Sequence, residues 1–520
     1  MLDVHCWLLD VFPPLVFGWR RSAESRYAAR VELREFAKPV LFATTLAEKL
    51  RAPDVYVFNA FTEGRLAEGK KFNPTKPQAQ LARDLENLPQ FLCRQDDIVL
   101  VAQKPSVEFL SSIKQAGFPL PEFIVGQASR LSSPSRNAGD STGKMPVPLP
   151  LAARKLGRLR PWAWGPDSLE LLKPVFASVT GEKRDDEKRF NASLAQLYSK
   201  AWSADFLRKL ILCRRLGNAS QISKTSQRLR TSSPTDDWLC SENEIGVAVN
   251  SLAAALAAIA KIRARGHHQI VVKAAFGVAG SNALRLFEPD ILPAQLRWLE
   301  NAFAHQRELV VEPWLERLQD FSVQLEMTAA GLKLCGYTGL LNDARGQFQA
   351  NFAGAHHHQR IPAKVVSLFR EPKDSSRRLL EFYGTIFATL ETELRRVDFT
   401  GPIGIDAFVY RDADGAVKLK PIVEINPRYT MGRVLVELMR QTGQNCFGSF
   451  RLVNAAQLRA EGFGSFPAFA QSLAGKFPLQ LEGEPRPRIR SGALCLNDPA
   501  TAQVCLAVFQ VRRPAAEAGV

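Results

Sequence analysis

The sequence GIDAFVYRDADGAVKLKPIVEINPRYTMG occupies residues 404–432 and predicts two strands joined by a tight turn. Apolar residues recur on both sides of residues 412–415, whose Asp and Gly content suits a hairpin turn. Glu424 and Asn426 are two residues apart and therefore lie on one face of their strand. Pairing across the hairpin can bring Asp406 beside them.

Three oxygen-bearing side chains that converge inside a sheet favour a bound cation. Burying carboxylates is costly unless their charge is neutralised. Hard oxygen ligands without a nearby cysteine are typical of Mg²⁺ or Mn²⁺ sites. We therefore predict that Asp406, Glu424 and Asn426 bind a metal ion, and that Arg428 contacts a phosphate or a carboxylate. A half-exposed polar strand face is the alternative.

A second pattern is VVKAAFGVAGSN at residues 271–282. Lys273 lies at the end of a predicted buried strand, where an unpaired ammonium group is unfavourable. The small residues that follow include Gly277, Gly280 and Ser281. Their backbone amides could cover phosphates while the lysine neutralises them. A glycine hairpin without any ligand is the alternative.

A third pattern is ELVVEPWLERLQDFSVQLEM at residues 308–327, which predicts a strand, a connector and a second strand. The backbone from Glu312 through Trp314 to Leu315 could recognise the edge of an adenine ring. Asp320 is then placed to accept hydrogen bonds from ribose hydroxyls. Many strand–turn–strand segments share this pattern. It therefore supports nucleotide binding only in combination with the other two patterns.

Together these patterns resemble the ATP-grasp superfamily of Mg-ATP-dependent carboxylate–amine and carboxylate–thiol ligases. The resemblance covers about residues 195–440 and is most specific at residues 404–432. It implies that ATP and Mg²⁺ bind at the residues named above, with Lys273 and Arg428 also acting in catalysis. It further implies an earlier phosphate-binding lysine, for which Lys200 is the candidate and Lys209 the reserve.

The implied fold is α/β and α+β multidomain, with ATP between a small subdomain and a larger sheet that carries the metal ligands. Strands alternate with helical segments in the first ~120 residues, which indicates a small α/β domain with a parallel sheet. The resemblance implies that this is an N-terminal α/β pre-grasp domain. The predicted parts are listed in chain order: pre-grasp domain 1–125, flexible linker 126–150, ATP-grasp domain 151–440 with its small subdomain at about 240–310 and an insertion at about 216–236, and a small β-containing region 441–520.

Composition excludes several classes of protein. The 520 residues are 46% hydrophobic and 23% charged, which is typical of globular proteins. The net charge is 68 − 52 = +16, but acidic residues interrupt the basic runs, so we expect no nucleic-acid partner. The apolar N-terminus contains Asp3 and Asp10, and we expect neither a signal peptide nor a membrane span. Eight dispersed cysteines form no CxxC pair, which favours a cytoplasmic location.

The predicted function is ATP-dependent ligation. The resemblance implies that a small-molecule carboxylate is activated as an acyl phosphate and then joined to an amine or a thiol. Two alternatives use the same scaffold: a phosphotransferase, and a nucleotide-binding regulatory protein without catalysis. A homo-oligomer is compatible with the sequence.

Three further groups have a structural and a functional interpretation. Asn59, Thr62 and Glu63 follow a predicted strand, where ligand-binding loops tend to lie, but turn formation explains them as well. In PWAWGP at residues 161–166 we expect a packing corner, although Trp162 or Trp164 could form a wall of a substrate pocket. The histidine run at 356–358 fits a solvated strand end better than a phosphate contact.

Overall fold

The structure is a computed structural model, and the residues that it describes are 51–126, 151, 153–180, 189–215, 238–277, 283–342, 348–354, 375–483, 485 and 487–513. The chain divides into two units, Met1–Pro53 and Asp54–Val520. Every element below belongs to the second unit. The predicted linker beyond Gly126 and the predicted insertion at about 216–236 lie outside the described residues.

The first part of this unit is a four-stranded parallel sheet in the order β3-β2-β1-β4. Its strands are fully or mainly apolar runs, which is the pattern of a sheet covered on both faces. The elements are strands β1 (Val55–Val57), β2 (Ile98–Val101), β3 (Glu122–Val125) and β4 (Leu159–Pro161), helices α1 (Thr62–Glu68), α2 (Lys76–Asp84), α3 (Val107–Gln115) and α4 (Pro166–Leu172), and 3₁₀ turns Gly69–Lys71, Leu88–Leu92 and Lys173–Ser178.

Two details of this part concern its boundaries. Helix α2 ends at Asp84, and a separate 3₁₀ turn contains Pro89. The residue before a proline is disfavoured in α-helical conformation, which explains the break. Strand β4 falls within the segment 151–440 yet pairs with β1. The domain limits themselves stay predictions.

The second part is a small antiparallel sheet in the order β5-β8-β6-β7. Two of its helices bury Ala255, Ile259 and Leu299 against strand residues such as Ile270 and Val311. The elements are strands β5 (Val247–Val249), β6 (Ile270–Ala274), β7 (Ala283–Leu286) and β8 (Leu309–Pro313), helices α5 (Ala192–Gln196), α6 (Lys200–Arg215), α7 (Leu252–Arg263) and α8 (Pro293–His305), and the 3₁₀ turn Glu242–Glu244.

The third part is a nine-stranded antiparallel sheet in the order β13-β12-β9-β10-β11-β14-β17-β16-β15. The elements are strands β9 (Glu316–Thr328), β10 (Gly331–Asn342), β11 (Phe348–Gly354), β12 (Gly401–Arg411), β13 (Val417–Asn426), β14 (Phe447–Asn454), β15 (Gln480–Glu482), β16 (Arg488–Cys495) and β17 (Cys505–Arg512), with helices α9 (Ser375–Arg396), α10 (Met431–Met439), α11 (Ala455–Ala460) and α12 (Phe466–Lys476).

The hairpin predicted at residues 404–432 is confirmed as β12 and β13. The Asp412 side chain accepts hydrogen bonds from the backbone of Asp414 and Ala416, and Gly415 has a φ of 82°, which favours glycine. The C-terminal strands β14–β17 continue the same sheet instead of standing apart. The predicted α/β and α+β multidomain class is confirmed.

The described helices include none that combines the length and apolar character needed to cross a bilayer.

Buried polar contacts connect the parallel sheet's helices to the large sheet. The carboxylate of Asp84, at the end of α2, accepts hydrogen bonds from the backbone amides of Gln503, Val504 and Cys505 at 3.0, 2.7 and 2.9 Å. Arg160 on β4 contacts Glu326 on β9 at 3.2 Å. These contacts hold α2 and β4 beside the large sheet.

The Asp84→Ala variant should lower the free energy of unfolding by about 2–4 kcal/mol, because it leaves three backbone donors without their charged acceptor. Urea denaturation followed by circular dichroism measures this. The exposed Asp290→Ala change is the control and should leave the midpoint unchanged. An Asp84→Ala midpoint equal to that of wild type would contradict this account.

Candidate active site

Two carboxylates face each other across the β12–β13 hairpin. Asp406 is the register partner of Glu424 on β13 and of Ser322 on β9. Asn426, two residues beyond Glu424, donates a hydrogen bond from Nδ2 to Asp406 Oδ2 at 3.1 Å. The structure therefore brings together the three residues predicted to bind a metal ion.

The electrostatics of this cluster favour a cation. Burial and the nearby Glu424 charge raise the pKa of Asp406 to about 6, although Ser322, Arg428 and Asn426 act in the opposite direction. Two adjacent buried carboxylates gain when a cation binds between them. Two carboxylates and an amide oxygen are hard ligands that suit Mg²⁺, with other positions open to water or phosphate. No group of three His, Cys, Asp or Glu side chains arranged for a metal occurs among the described residues.

Lys200 connects this cluster to the small sheet. Its Nζ atom lies 2.9 Å from Glu424 Oε1 and donates to the carbonyl oxygen of Gly277 at 2.7 Å. Helix α6 begins at Lys200, whose backbone amide donates to Ala275 at 2.9 Å. The reserve candidate Lys209 is exposed on the same helix, so the structure favours Lys200 as the earlier lysine.

Lys273 belongs to a buried ion-pair network that joins the small sheet to the large sheet. Its Nζ contacts Glu312 Oε1, and Lys420 Nζ contacts Glu312 Oε2 at 2.9 Å. Burial opposes ionisation of Glu312, but the two lysines hold its pKa well below its usual range. Burial lowers the pKa of Lys273, and Glu312 acts against that change. Sequence reasoning missed Lys420, because nothing local shows that this strand lysine turns inward.

The segment from Glu312 to Asp320, which the sequence predicts to bind adenosine, makes contacts that only partly fit that role. The guanidinium groups of Arg285 and Arg317 lie over the Trp314 ring, at 5.8 and 5.4 Å from the ring centroid. Asp320 accepts from Asn342 Nδ2 at 2.9 Å. The Trp314 amide already donates to Gln269 at 2.8 Å, so this amide has a partner other than an adenine. Strand β9 begins at Glu316 and includes Asp320.

Arg428 lies where the cluster meets the parallel sheet. Its Nε contacts Glu63 Oε1, and its Nη1 donates to the Tyr429 carbonyl at 3.3 Å. Burial lowers the pKa of Arg428, but Glu63, Glu424 and Asp406 together raise it above its usual value. Glu63 therefore lines the candidate site and contacts Arg428, so turn formation alone does not describe it. Its position after β1 was the available signal.

The loop after β1 is held by a small polar cluster. Asn59 Nδ2 donates to the Ala163 carbonyl at 2.7 Å, and both Asn59 and Thr62 donate to Asp167, at 3.1 and 3.0 Å. Burial raises the pKa of Asp167 to about 6 despite these hydrogen bonds. Asn59 and Thr62 therefore fix the loop that presents Glu63.

One cavity of about 880 Å³ connects the groups described above. Among the predicted residues, Glu312 and Leu315 do not line it: Glu312 supports Lys273, and Leu315 packs in the core behind. Gly280, Ser281 and the histidines at 356–358 lie outside the described residues. The predicted site residues that line the cavity are Lys200, Lys273, Gly277, Trp314, Asp320, Asp406, Glu424, Asn426 and Arg428.

Comparisons with protein-family models and with characterised protein sequences find no match. Solved structures similar to this chain include an N5-carboxyaminoimidazole synthetase from Staphylococcus aureus, with 10% identity, 88% of this chain and 93% of that chain covered, and a TM-score of 0.39. Another is a biotin carboxylase from Campylobacter jejuni in a β,γ-ATP complex, with 11% identity, 90% and 89% coverage, and a TM-score of 0.41. At these values the similarity supports no statement about chemistry, which must come from this chain's own side chains.

The Asp406→Asn variant should be more stable than wild type at neutral pH when no metal is present. Because the pKa of Asp406 is about 6 in the folded protein and roughly 3.9 in an unfolded chain, wild type loses stability as the pH rises between these values. Asparagine does not titrate, so the variant's advantage should grow from about pH 4 to pH 7 and then level off.

Thermal denaturation in EDTA at several pH values measures this difference. The exposed Asp414→Asn change on the turn of the same hairpin is the control and should follow wild type. An Asp406→Asn protein that is less stable than wild type at neutral pH would contradict the electrostatic cost that we assign to the two neighbouring carboxylates.

Proposed function

We propose that this protein is an ATP-dependent ligase of the ATP-grasp type, which activates a carboxylate and joins it to an amine or a thiol. The observation that carries the proposal is the position of Lys200. This one ammonium group contacts both Glu424 of the carboxylate cluster and the Gly277 carbonyl that follows the Lys273 strand. Groups that suit phosphates and groups that suit Mg²⁺ therefore share one cavity.

In this proposal the nucleotide lies between the small sheet and the β12–β13 end of the large sheet. Lys200 and Lys273 bind the phosphates, and Asp320 accepts hydrogen bonds from the ribose. Asp406, Glu424 and Asn426 would hold Mg²⁺, which offsets the negative charge on the β- and γ-phosphates. The rate enhancement then comes mainly from positioning and electrostatic stabilisation.

The reaction has two steps. A carboxylate oxygen of the substrate attacks the γ-phosphorus of ATP, and the bond from that phosphorus to the β–γ bridging oxygen breaks, which gives an acyl phosphate and ADP. An amine or thiol then attacks the acyl carbon, the carbon–oxygen bond to phosphate breaks, and the nucleophile loses a proton. Arg428 stabilises the negative charge of the transferring phosphoryl group or of the acid.

Two lysines on helix α6 provide a matched test. Lys200→Met should lower ADP release by at least about 100-fold, because a buried cation that stabilises phosphate charge is lost. Lys209→Met removes the same charge from the exposed face of the helix and should leave the rate unchanged. The assay measures ADP release from Mg-ATP with a panel of carboxylic acids, with hydroxylamine present to trap an acyl phosphate as a hydroxamate.

Acid-dependent ADP release together with a hydroxamate supports the ligase. ADP release with a stable phosphorylated product and no hydroxamate would indicate phosphotransfer instead. Equal rates for the two lysine variants would contradict the site that we assign to ATP.

A further inference from the structure

The end of the cavity that faces the parallel sheet has a different chemical character from the end that holds the lysines. It is formed by the loop after β1, by helices α1 and α2, and by the start of α10. Its lining combines large apolar side chains with small residues and with the polar Asn59, Glu68, Asn73 and Gln78. We call this end the apolar chamber, and its principal side chains are Phe58, Phe61, Phe72, Leu81, Trp162 and Met431.

The aromatic walls of the apolar chamber are fixed by packing. Phe58 and Trp162 meet edge to face with ring centroids 4.8 Å apart, and Phe61 and Phe72 lie 5.9 Å apart. A Cβ atom on Gly64 would lie 2.2 Å from the Phe72 ring, so the absence of a side chain there lets the ring lie against α1. Such a preorganised apolar wall is typical of a ligand site.

Leu81 shows that apolar surface in the chamber remains uncovered. This side chain of α2 is 38% exposed, although it lines the cavity. The polar contacts of Asp84 with the start of β17 hold the helix, so the exposure is built into the fold. Covering such surface with an apolar ligand group would be favourable, because each buried methylene group contributes to binding.

The charges around the cavity are distributed unevenly. The cations Lys200, Lys273, Arg285 and Arg317 lie toward the small sheet and the carboxylate cluster. Among the described residues that line the cavity, Arg428 is the cation on the side of the parallel sheet, and it is paired with Glu63. A phosphorylated substrate in the apolar chamber would lack the several donors that phosphate groups require.

Two arginines lie behind the aromatic wall instead of in the apolar chamber. Arg65 and Arg83 line a separate cavity of about 70 Å³, which shares Phe58, Phe61 and Phe72 with the larger one. Arg83 is engaged with the Gln80 side chain at 2.6 Å. Neither arginine lines the larger cavity, in which a substrate would bind.

Resting on the proposed function, we propose that the acid substrate is a monocarboxylic acid with an aromatic or long aliphatic body and no phosphate group. Its apolar body occupies the apolar chamber, and its carboxylate points toward Arg428 and the γ-phosphate. The volume of about 880 Å³ lies near the top of the range of about 300–1,000 Å³ for ligand sites. That size suits ATP and a second molecule bound together.

The first test measures binding by calorimetry without nucleotide or metal, so it does not depend on ATP chemistry. The ligands are 3-phenylpropionate and octanoate, compared with 3-phosphoglycerate and malonate. We expect the two apolar acids to bind more tightly than the two polar ones. Leu81→Asn should weaken 3-phenylpropionate binding about 10-fold, because it replaces apolar contact surface by an amide.

Leu212→Asn is the matched control. Leu212 is also 38% exposed and also lies on a helix, α6, but it does not line the cavity. It should leave the affinity unchanged. Tighter binding of 3-phosphoglycerate or malonate, binding of none of the four acids, or equal weakening by both variants would overturn the inference.

The second test separates this inference from the proposed function. ADP release from Mg-ATP is measured with the same four acids. Stimulation by the apolar acids supports both proposals, whereas stimulation by malonate or 3-phosphoglycerate alone would overturn the substrate class and keep the ligase. Apolar acids that bind in the first test without stimulating ADP release would contradict the ligase while supporting the apolar chamber as their binding site.

Discussion

The pairing of Asp406 with Glu424 across the β12–β13 hairpin is the constraint on which the site depends. Antiparallel register fixes these carboxylates as direct neighbours, and burial leaves their charges poorly solvated. Cations from other parts of the chain balance them: Lys200 from the start of α6 and Arg428 from the segment after β13. The fold therefore has to bring segments that are distant in the chain to this carboxylate pair. This requirement explains much of how the chain is organised.

The same need for charge balance joins the three sheets. Glu312 on β8 of the small sheet holds Lys273 of that sheet and Lys420 of the large sheet. Glu63, from the helix that follows the first strand of the parallel sheet, holds Arg428. Removing one partner of such buried pairs leaves an uncompensated charge, which costs far more than an exposed ion pair contributes. These contacts position the cavity walls as well as stabilise the chain.

Local patterns in the sequence were sufficient to predict the hairpin and the convergence of Asp406, Glu424 and Asn426 on it. Alternation along a strand places Glu424 and Asn426 on one face, and a short turn sets the register that brings Asp406 beside them. The position of Lys273 on a mostly buried strand was likewise visible from the sequence. Whether Lys273 binds phosphate stays a prediction, as do the other roles assigned to single residues.

Contacts between distant segments were not predictable in the same way. Glu63 and Arg428 are 365 residues apart, and no periodicity connects them. The sequence predicted a separate C-terminal β region. The observed pairing of β14 with β11 and β17 depends on the tertiary arrangement, which no local pattern shows. The apolar chamber shows the same limit, since Leu81 and Trp162 line one space only after α2 has docked on the large sheet.

The most direct test of the central claim is thermal denaturation of wild type and Glu424→Gln with ATP alone, Mg²⁺ alone and both together. Ligand at about 100 times its dissociation constant should add about 2.7 kcal/mol to the stability of the unit that binds it. Our account predicts a clear increase in melting temperature for wild type only when ATP and Mg²⁺ are both present, and a much smaller increase for Glu424→Gln. An increase of equal size in both proteins, or none in folded wild type, would contradict a Mg-ATP site at this hairpin.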